Sequence, residues 1–190
     1  MKLHRRAALF GLLSAPALGQ TEDFGRRVAL GAEARTRVPE IYDPAYRAIA
    51  YPMGDVADDR GVCADTVIRA FRAGGVDLQQ LVHRDMRAAF AAYPKIWGLT
   101  RPDTNIDHRR VPNLETFFSR KGANLGRQVD VATLQPGDVI SWRIPVPHIG
   151  VVSTQRTRAR PLMVHNVGAG SQMEDVLFAW PVQGWFRFTP

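Results

Sequence analysis

The apolar positions change period along this chain. From Thr21 to Val38, Phe24, Val28 and Ala32 recur at i, i+4 and i+8, which predicts a helix. Cys63 to Ala73 carries Cys63, Val67, Ala70 and Phe71 on one face and stops at Gly74-Gly75. Leu78 to Tyr93 repeats Leu78, Leu81, Val82, Met86, Ala89, Phe90 and Tyr93 at helical spacing, and Pro94 ends it. Asn113 is placed to cap a short helix bearing Leu114, Phe117 and Phe118, closed by Gly122. Beyond it the texture is that of strands. After the Pro136-Gly137-Asp138 turn, the segments Val139 to Arg143, Ile149 to Ser153, Leu162 to Val167, Val176 to Trp180 and Trp185 to Phe188 are expected as strands. Helices first and antiparallel strands later predict an α+β domain.

The first residues fall outside this pattern. Lys2, Arg5 and Arg6 precede an apolar run from Ala7 to Ala15, then Pro16 and the small residues Ala17-Leu18-Gly19. This is the layout of a secretory signal peptide, with cleavage expected after Gly19. Arg5-Arg6 also gives it the look of a twin-arginine signal. The expected organisation is therefore a signal peptide over 1–19 and a single domain over 20–190, exported to the periplasm or cell envelope. No later stretch is apolar and long enough to span a bilayer.

Charge changes meaning once that leader is set aside. The whole chain of 190 residues has 25 Lys+Arg against 18 Asp+Glu, a net +7. The leader holds three of the basic residues and no acid, so the remainder carries +4. No basic face interleaved with aromatics is present, and a nucleic-acid partner is not expected. An anionic envelope polymer suits the residual charge.

The single cysteine leaves no internal disulfide or cysteine-based zinc cluster open. Cys63 stands at the first turn of a predicted helix, where unpaired N–H groups and the dipole favour a thiolate. A nucleophile there needs a base. His148 heads one strand and His165 lies within the next, and a hairpin between them brings the imidazoles together. Met163, His165 and Val167 share one strand face, and Leu162, Val164 and Asn166 the other. So one of His165 and Asn166 completes the set. His165 is the first choice, with Asn166 in reserve and His108 a rival base. The loop holding Asn105, Asp107, His108, Arg109 and Arg110 is read two ways: a cleft wall that reads carboxylates through its arginines, or a structural loop pinned by Asp–Arg pairs. Trp97, Trp142 and Trp180 are expected as packing residues. A histidine metal site of His148, His165 and His108 is a minor option.

The order Gly61-Val62-Cys63 at a helix start, then Leu134-Gln135-Pro136-Gly137-Asp138-Val139-Ile140-Ser141-Trp142, then His148-Ile149-Gly150-Val151-Val152, then Met163-Val164-His165 resembles the papain-like cysteine peptidases of the NlpC type. Those enzymes cut peptidoglycan stem peptides. The resemblance implies Cys63 as nucleophile, His148 as base, His165 as orienting residue, a peptidoglycan or other envelope peptide as partner, and no cofactor or metal. More closely, Asp59-Arg60-Gly61-Val62-Cys63, the stretch from Leu81 to Met86, that from Arg101 to Asn113 and that from Val164 to Gly170 resemble domain of unknown function 1287, a family in the same superfamily. One departure stands out. The acid that precedes the cysteine in NlpC-type enzymes and helps hold a substrate amine is Val62 here, with Asp65, Asp107, Asp55, Asp58 and Asp59 as candidate replacements. A catalytically silent binding module and a cysteine acyltransferase are the competing readings.

Overall fold

The computed structural model describes residues 17–190, with side chains from Asp23 onward. The leader expected over 1–19 falls almost wholly outside the described residues. Four helices precede most of an antiparallel sheet. Among the described residues no helix is long and apolar enough to cross a membrane.

Helix α1 (Ala17–Arg35) lays Phe24, Val28 and Ala32 on α2 (Cys63–Ala73). Between them runs an irregular stretch that forms only a two-residue parallel pair, β1 (Ile41–Tyr42) with β2 (Arg60–Gly61). Helix α3 spans Leu78–Ala89, shorter than the expected Leu78–Tyr93, because the chain tightens into a 3-10 turn at Phe90–Ala92. Helix α4 (Val111–Arg120) starts before Asn113, with Pro112 in its first turn, where a missing N–H costs nothing. Asn113 is thus not the cap; its amide donates to the Asp107 carbonyl at 3.0 Å.

The six-stranded sheet runs β3-β8-β4-β5-β6-β7, with β3 Asn124–Gly126, β4 Val139–Ile144, β5 Val146–Arg156, β6 Pro161–His165, β7 Gln172–Glu174 and β8 Val182–Phe186. All its ladders are antiparallel. One expected strand is corrected. Residues 176–180 form a turn, and the strand that extends the sheet is the earlier β7. The apolar run there serves packing: Leu177 is fully buried, and Val176 and Trp180 press on the sheet.

Strand alternation sorts the core into two layers. Val139, Ile149, Val151, Val164 and Phe186 pack with the helices. Ile140, Trp142, Val152, Met163 and Trp185 face away and are covered by Leu177 and the segments around Val131 and Trp180. The Pro136-Gly137-Asp138 turn fixes how the sheet meets α1. Gly137 has φ +87°, and a Cβ on it would meet the Gly25 carbonyl oxygen at 2.2 Å, so only glycine permits this backbone contact. Asp138 then accepts bonds from the Trp185 indole and the Arg187 guanidinium, both at 2.8 Å, and locks β8 to the turn.

Candidate active site

Cys63 is the first residue of α2, preceded by the extended Val62. Asp65, at the third helical position, reaches back to accept the Val62 N–H at 2.7 Å. The same carboxylate takes both Nε and Nη2 of Arg109, at 2.8 and 2.9 Å. Asp65 therefore starts the helix and holds a buried arginine.

Strand β6 ends at His165, opposite Gly150, so the edge of β5 beside Ile149 is open. The cysteine occupies that place. The backbone N–H groups of Ile149, Ala64 and Cys63 itself are directed at the sulfur and draw its pKa down. Burial outweighs them, and with the Asp65 charge it pushes the Cys63 thiol up to about 12. Ile149 packs with Cys63 on the helix side, so the His148 side chain points to the opposite face of the sheet with Trp142, and the sulfur makes no hydrogen bond to either histidine among the described residues.

His148 and His165 do meet. His148 Nε2 and His165 Nδ1 are 3.0 Å apart, and His165 Nε2 lies 3.0 Å from the Glu174 carboxylate. These contacts set the tautomers. A carboxylate only accepts, so His165 Nε2 carries a hydrogen and its Nδ1 is an acceptor. His148 Nε2–H must then donate, which leaves its Nδ1 as a free lone pair. Trp142 stacks on His148 with centroids 5.6 Å apart, and Trp180 stands edge-on to both imidazoles. Gly150 makes room: a Cβ there would meet the Val164 carbonyl oxygen at 2.8 Å and His165 Cβ at 3.0 Å.

Burial keeps both rings neutral, lowering His148 to about 3 with help from its neighbour His165. His108 is also lowered to about 3, by burial and by Arg72 and Arg109. An unfolded histidine binds its proton near pH 6.5. The unfolded chain therefore holds more protons than the native one between that value and about 3. Stability from these two groups is intact above pH 6.5 and is lost as pH falls through that window. We expect urea midpoints to decline steadily from pH 7 to pH 4, with a shallower slope in a His108→Gln variant.

The cysteine faces a cleft of about 470 Å³ lined by Tyr42, Tyr46, Trp97, Arg110, Val111 and Pro147 among others. No acidic residue lines it. Arg110 sits 4.2 Å over the Trp97 ring, so this tryptophan shapes the rim. The remaining expected residues are structural. Arg109 also bonds the carbonyls of Asp43 and Ala45, pinning the irregular segment. Asp107 accepts from the Asp103 N–H and from Arg110. Asn105 bonds the Ile49 N–H, the Tyr46 hydroxyl and Asp103. Of the two readings of this loop, the pinned one describes Asp107 and Arg109. His108 does not line the cleft, and neither do the rings of His148 and His165. Among the described residues no cluster of His, Cys, Asp or Glu is arranged to hold a metal. Asn166 turns to the helix side, where it donates to Glu40 at 3.2 Å; Asp55 pairs with Arg69 and Arg72, and Asp58 with Arg35.

Two residues of the region escaped the sequence reading. Glu174 anchors the histidine relay from a three-residue strand, too short to carry a period. Tyr42 stands in the cleft near enough to feel the Cys63 and Asp65 charges.

The resting chemistry is testable. A thiol held near 12 has a thiolate fraction at pH 7.5 about 10³-fold below that of an ordinary cysteine. Alkylation of Cys63 by iodoacetamide is expected to be slower than that of free cysteine by that order, still rising at pH 10, and restored in urea. Fast alkylation at neutral pH would show a preformed thiolate–imidazolium pair instead.

Taken together, these elements define an α+β protein whose polar site lies where a helix begins against the open edge of a strand. Its sequence places it among known chains: residues 29–188 match the family described as "Domain of unknown function (DUF1287)", and the chain belongs to that family. It is 52% identical over 164 residues to the Escherichia coli (strain K12) protein described as "Uncharacterized protein YijF", an alignment covering 85% of this chain and 80% of that protein. No solved structure is a significant match.

Proposed function

We propose that this chain is an exported cysteine hydrolase of papain-like, NlpC-type fold that cleaves amide or isopeptide bonds in peptidoglycan peptides. The observation that carries the reading is a helix-start thiol set against the Ile149 N–H at the head of β5, where the preceding residue is a histidine whose tautomer is fixed, on the opposite face of the sheet, by a second histidine and a carboxylate; the reaction requires the His148 ring to turn into the cleft. In the reaction the Cys63 sulfur forms a bond to the substrate carbonyl carbon while its proton passes to His148 Nδ1. The C–N bond breaks as His148 returns that proton to the leaving amine. Water then attacks the thioester with His148 again taking the proton, a carboxylic acid departs, and the thiol re-forms. Because the resting thiol and imidazole are both neutral, His148 acts as a general base during attack. Residues 1–19 serve as the export signal in this reading, and no cofactor enters the scheme.

The buried, protonated thiol with no histidine bond favours a second reading, a silent peptide-binding module of the envelope. Purified peptidoglycan separates the two. The hydrolase reading expects new amine ends from the native protein and none from Cys63→Ala, with both proteins melting alike. Equal release from both sinks it; no release from either, with the peptide still bound, is the outcome of the silent module. A cysteine acyltransferase would instead leave the acyl group on an added amine, seen by mass spectrometry.

A further inference from the structure

Beside the Cys63 cleft lies a second groove of about 520 Å³. Pro112 lines both, and Arg143 in the second groove is the cross-strand partner of Pro147, which lines the first. The two therefore adjoin at the start of α4. They differ in chemistry. The part at Cys63 is mainly aromatic and apolar and is lined by no acid, and its two arginines, Arg109 and Arg110, are paired with Asp65 and Asp107. The second groove carries three guanidinium groups, from Arg120, Arg127 and Arg143, against one acid, Glu115.

These cations are not equivalent. Arg120 is spoken for: its Nε donates to Asp85 at 2.5 Å, and Lys121 reaches the same carboxylate at 2.8 Å. Arg127 and Arg143 form no ion pair among the described residues. Glu115 is poorly placed to neutralise them, since one of its oxygens is buried without any donor. The second groove thus holds two uncompensated guanidiniums beside neutral donors such as Asn124 and Gln183. Guanidinium forks match carboxylates in shape and charge.

We infer that this groove is a subsite for the carboxylates of an acidic peptide whose neighbouring residues enter the Cys63 cleft. The inference rests on the reading of that cleft as a peptide site, and it gives the site a substrate class. An extended peptide advances about 3.3 Å per residue, so acids a few residues from the bond at Cys63 are the ones that reach the arginines.

The test is direct binding, measured by calorimetry in a Cys63→Ala background so that turnover plays no part. The probes are the capped hexapeptide of alternating Ala and Glu and its Gln counterpart. The acidic peptide is expected to bind at least tenfold tighter than the neutral one. An Arg127→Gln/Arg143→Gln double variant should erase that preference, while Arg156→Gln/Arg158→Gln, an equal loss of charge at the exposed far end of β5 and the turn after it, should keep it. Equal binding of the two peptides, no binding of the acidic one, or an equal loss in the distant variant overturns the subsite. These outcomes are independent of hydrolysis. Normal peptidoglycan turnover with charge-blind binding removes the subsite alone, and absent turnover with charge-selective binding removes the hydrolase reading alone.

Discussion

Replacing His148 by alanine is expected to lower the rate of peptide release about 10⁴-fold, the order seen when a triad loses its base or the right tautomer. The steps along the relay should fall away in sequence. His148 offers the one free lone pair in the set, because its Nε2–H is committed to His165 at 3.0 Å. Without a His148 ring to turn into the cleft nothing there can take the thiol proton, and a thiol raised to about 12 does not ionise alone at neutral pH. His165→Ala leaves the base in place but releases its tautomer and orientation, an expected loss of about 10²-fold. Glu174 is half-exposed, so water can replace its carboxylate in Glu174→Ala, and about tenfold is expected. Rates across pH check the ordering. A residue that only supports the fold would lower the melting temperature with the rate, whereas a positioning role shifts the pH profile with stability kept. Equal losses at all three positions would argue for collapse of the Trp142–Trp180 housing rather than a graded relay.

How far such a site can be read from sequence depends on which physical signal each residue carries. The start of α2 at Cys63 was legible because a sharp amphipathic face and a Gly-Gly stop bound it on both sides. The histidine hairpin was legible from strand alternation, since a period of two fixes which residues share a face. That same parity left His165 and Asn166 as alternatives for the face toward the cysteine; Asn166 takes that face, on the helix side with Glu40, and His165 takes the opposite one, over Trp142. The run at 176–180 misled because apolar residues covering a sheet look, in sequence, like residues within one. The Asp107–Arg109 loop misled in the other direction. Charged loop residues are normally solvated, and nothing local shows that Asp65, some forty positions earlier, turns Arg109 inward.

The largest stability effect is expected at Glu40, a residue with no sequence signature at all. Its side chain is fully buried in the irregular stretch after α1. It accepts bonds from Arg69, from Arg35 at 3.3 Å, from Asn166 at 3.2 Å and from Ser171 at 3.1 Å, while Ser171 also meets Thr66 of α2 at 2.8 Å. One carboxylate therefore ties the end of α1, the middle of α2 and the loop that follows His165. Asp55 supplies Arg69 with a second acid, but at Nε and Nη2 rather than at the Nη1 that Glu40 holds. Glu40→Ala leaves a buried guanidinium short of charge and the buried Asn166 amide without its acceptor, and strips Ser171 of one of its two bonds, which together cost about 3–5 kcal/mol. That is a large share of the 5–15 kcal/mol typical of a folded domain. Glu33→Ala is the comparison. That acid also accepts several bonds, from Ser153 and Thr154, but holds no buried cation, and about 1 kcal/mol is expected. Urea unfolding read by tryptophan fluorescence measures both. The knot also borders the relay, so Glu40→Gln, which keeps the shape and removes the charge, should loosen the loop after β6 and lower hydrolysis before it lowers the melting point. Equal stability of Glu40→Ala and Glu33→Ala would show that Asp55 alone satisfies Arg69 and that the carboxylate is not the centre of the knot.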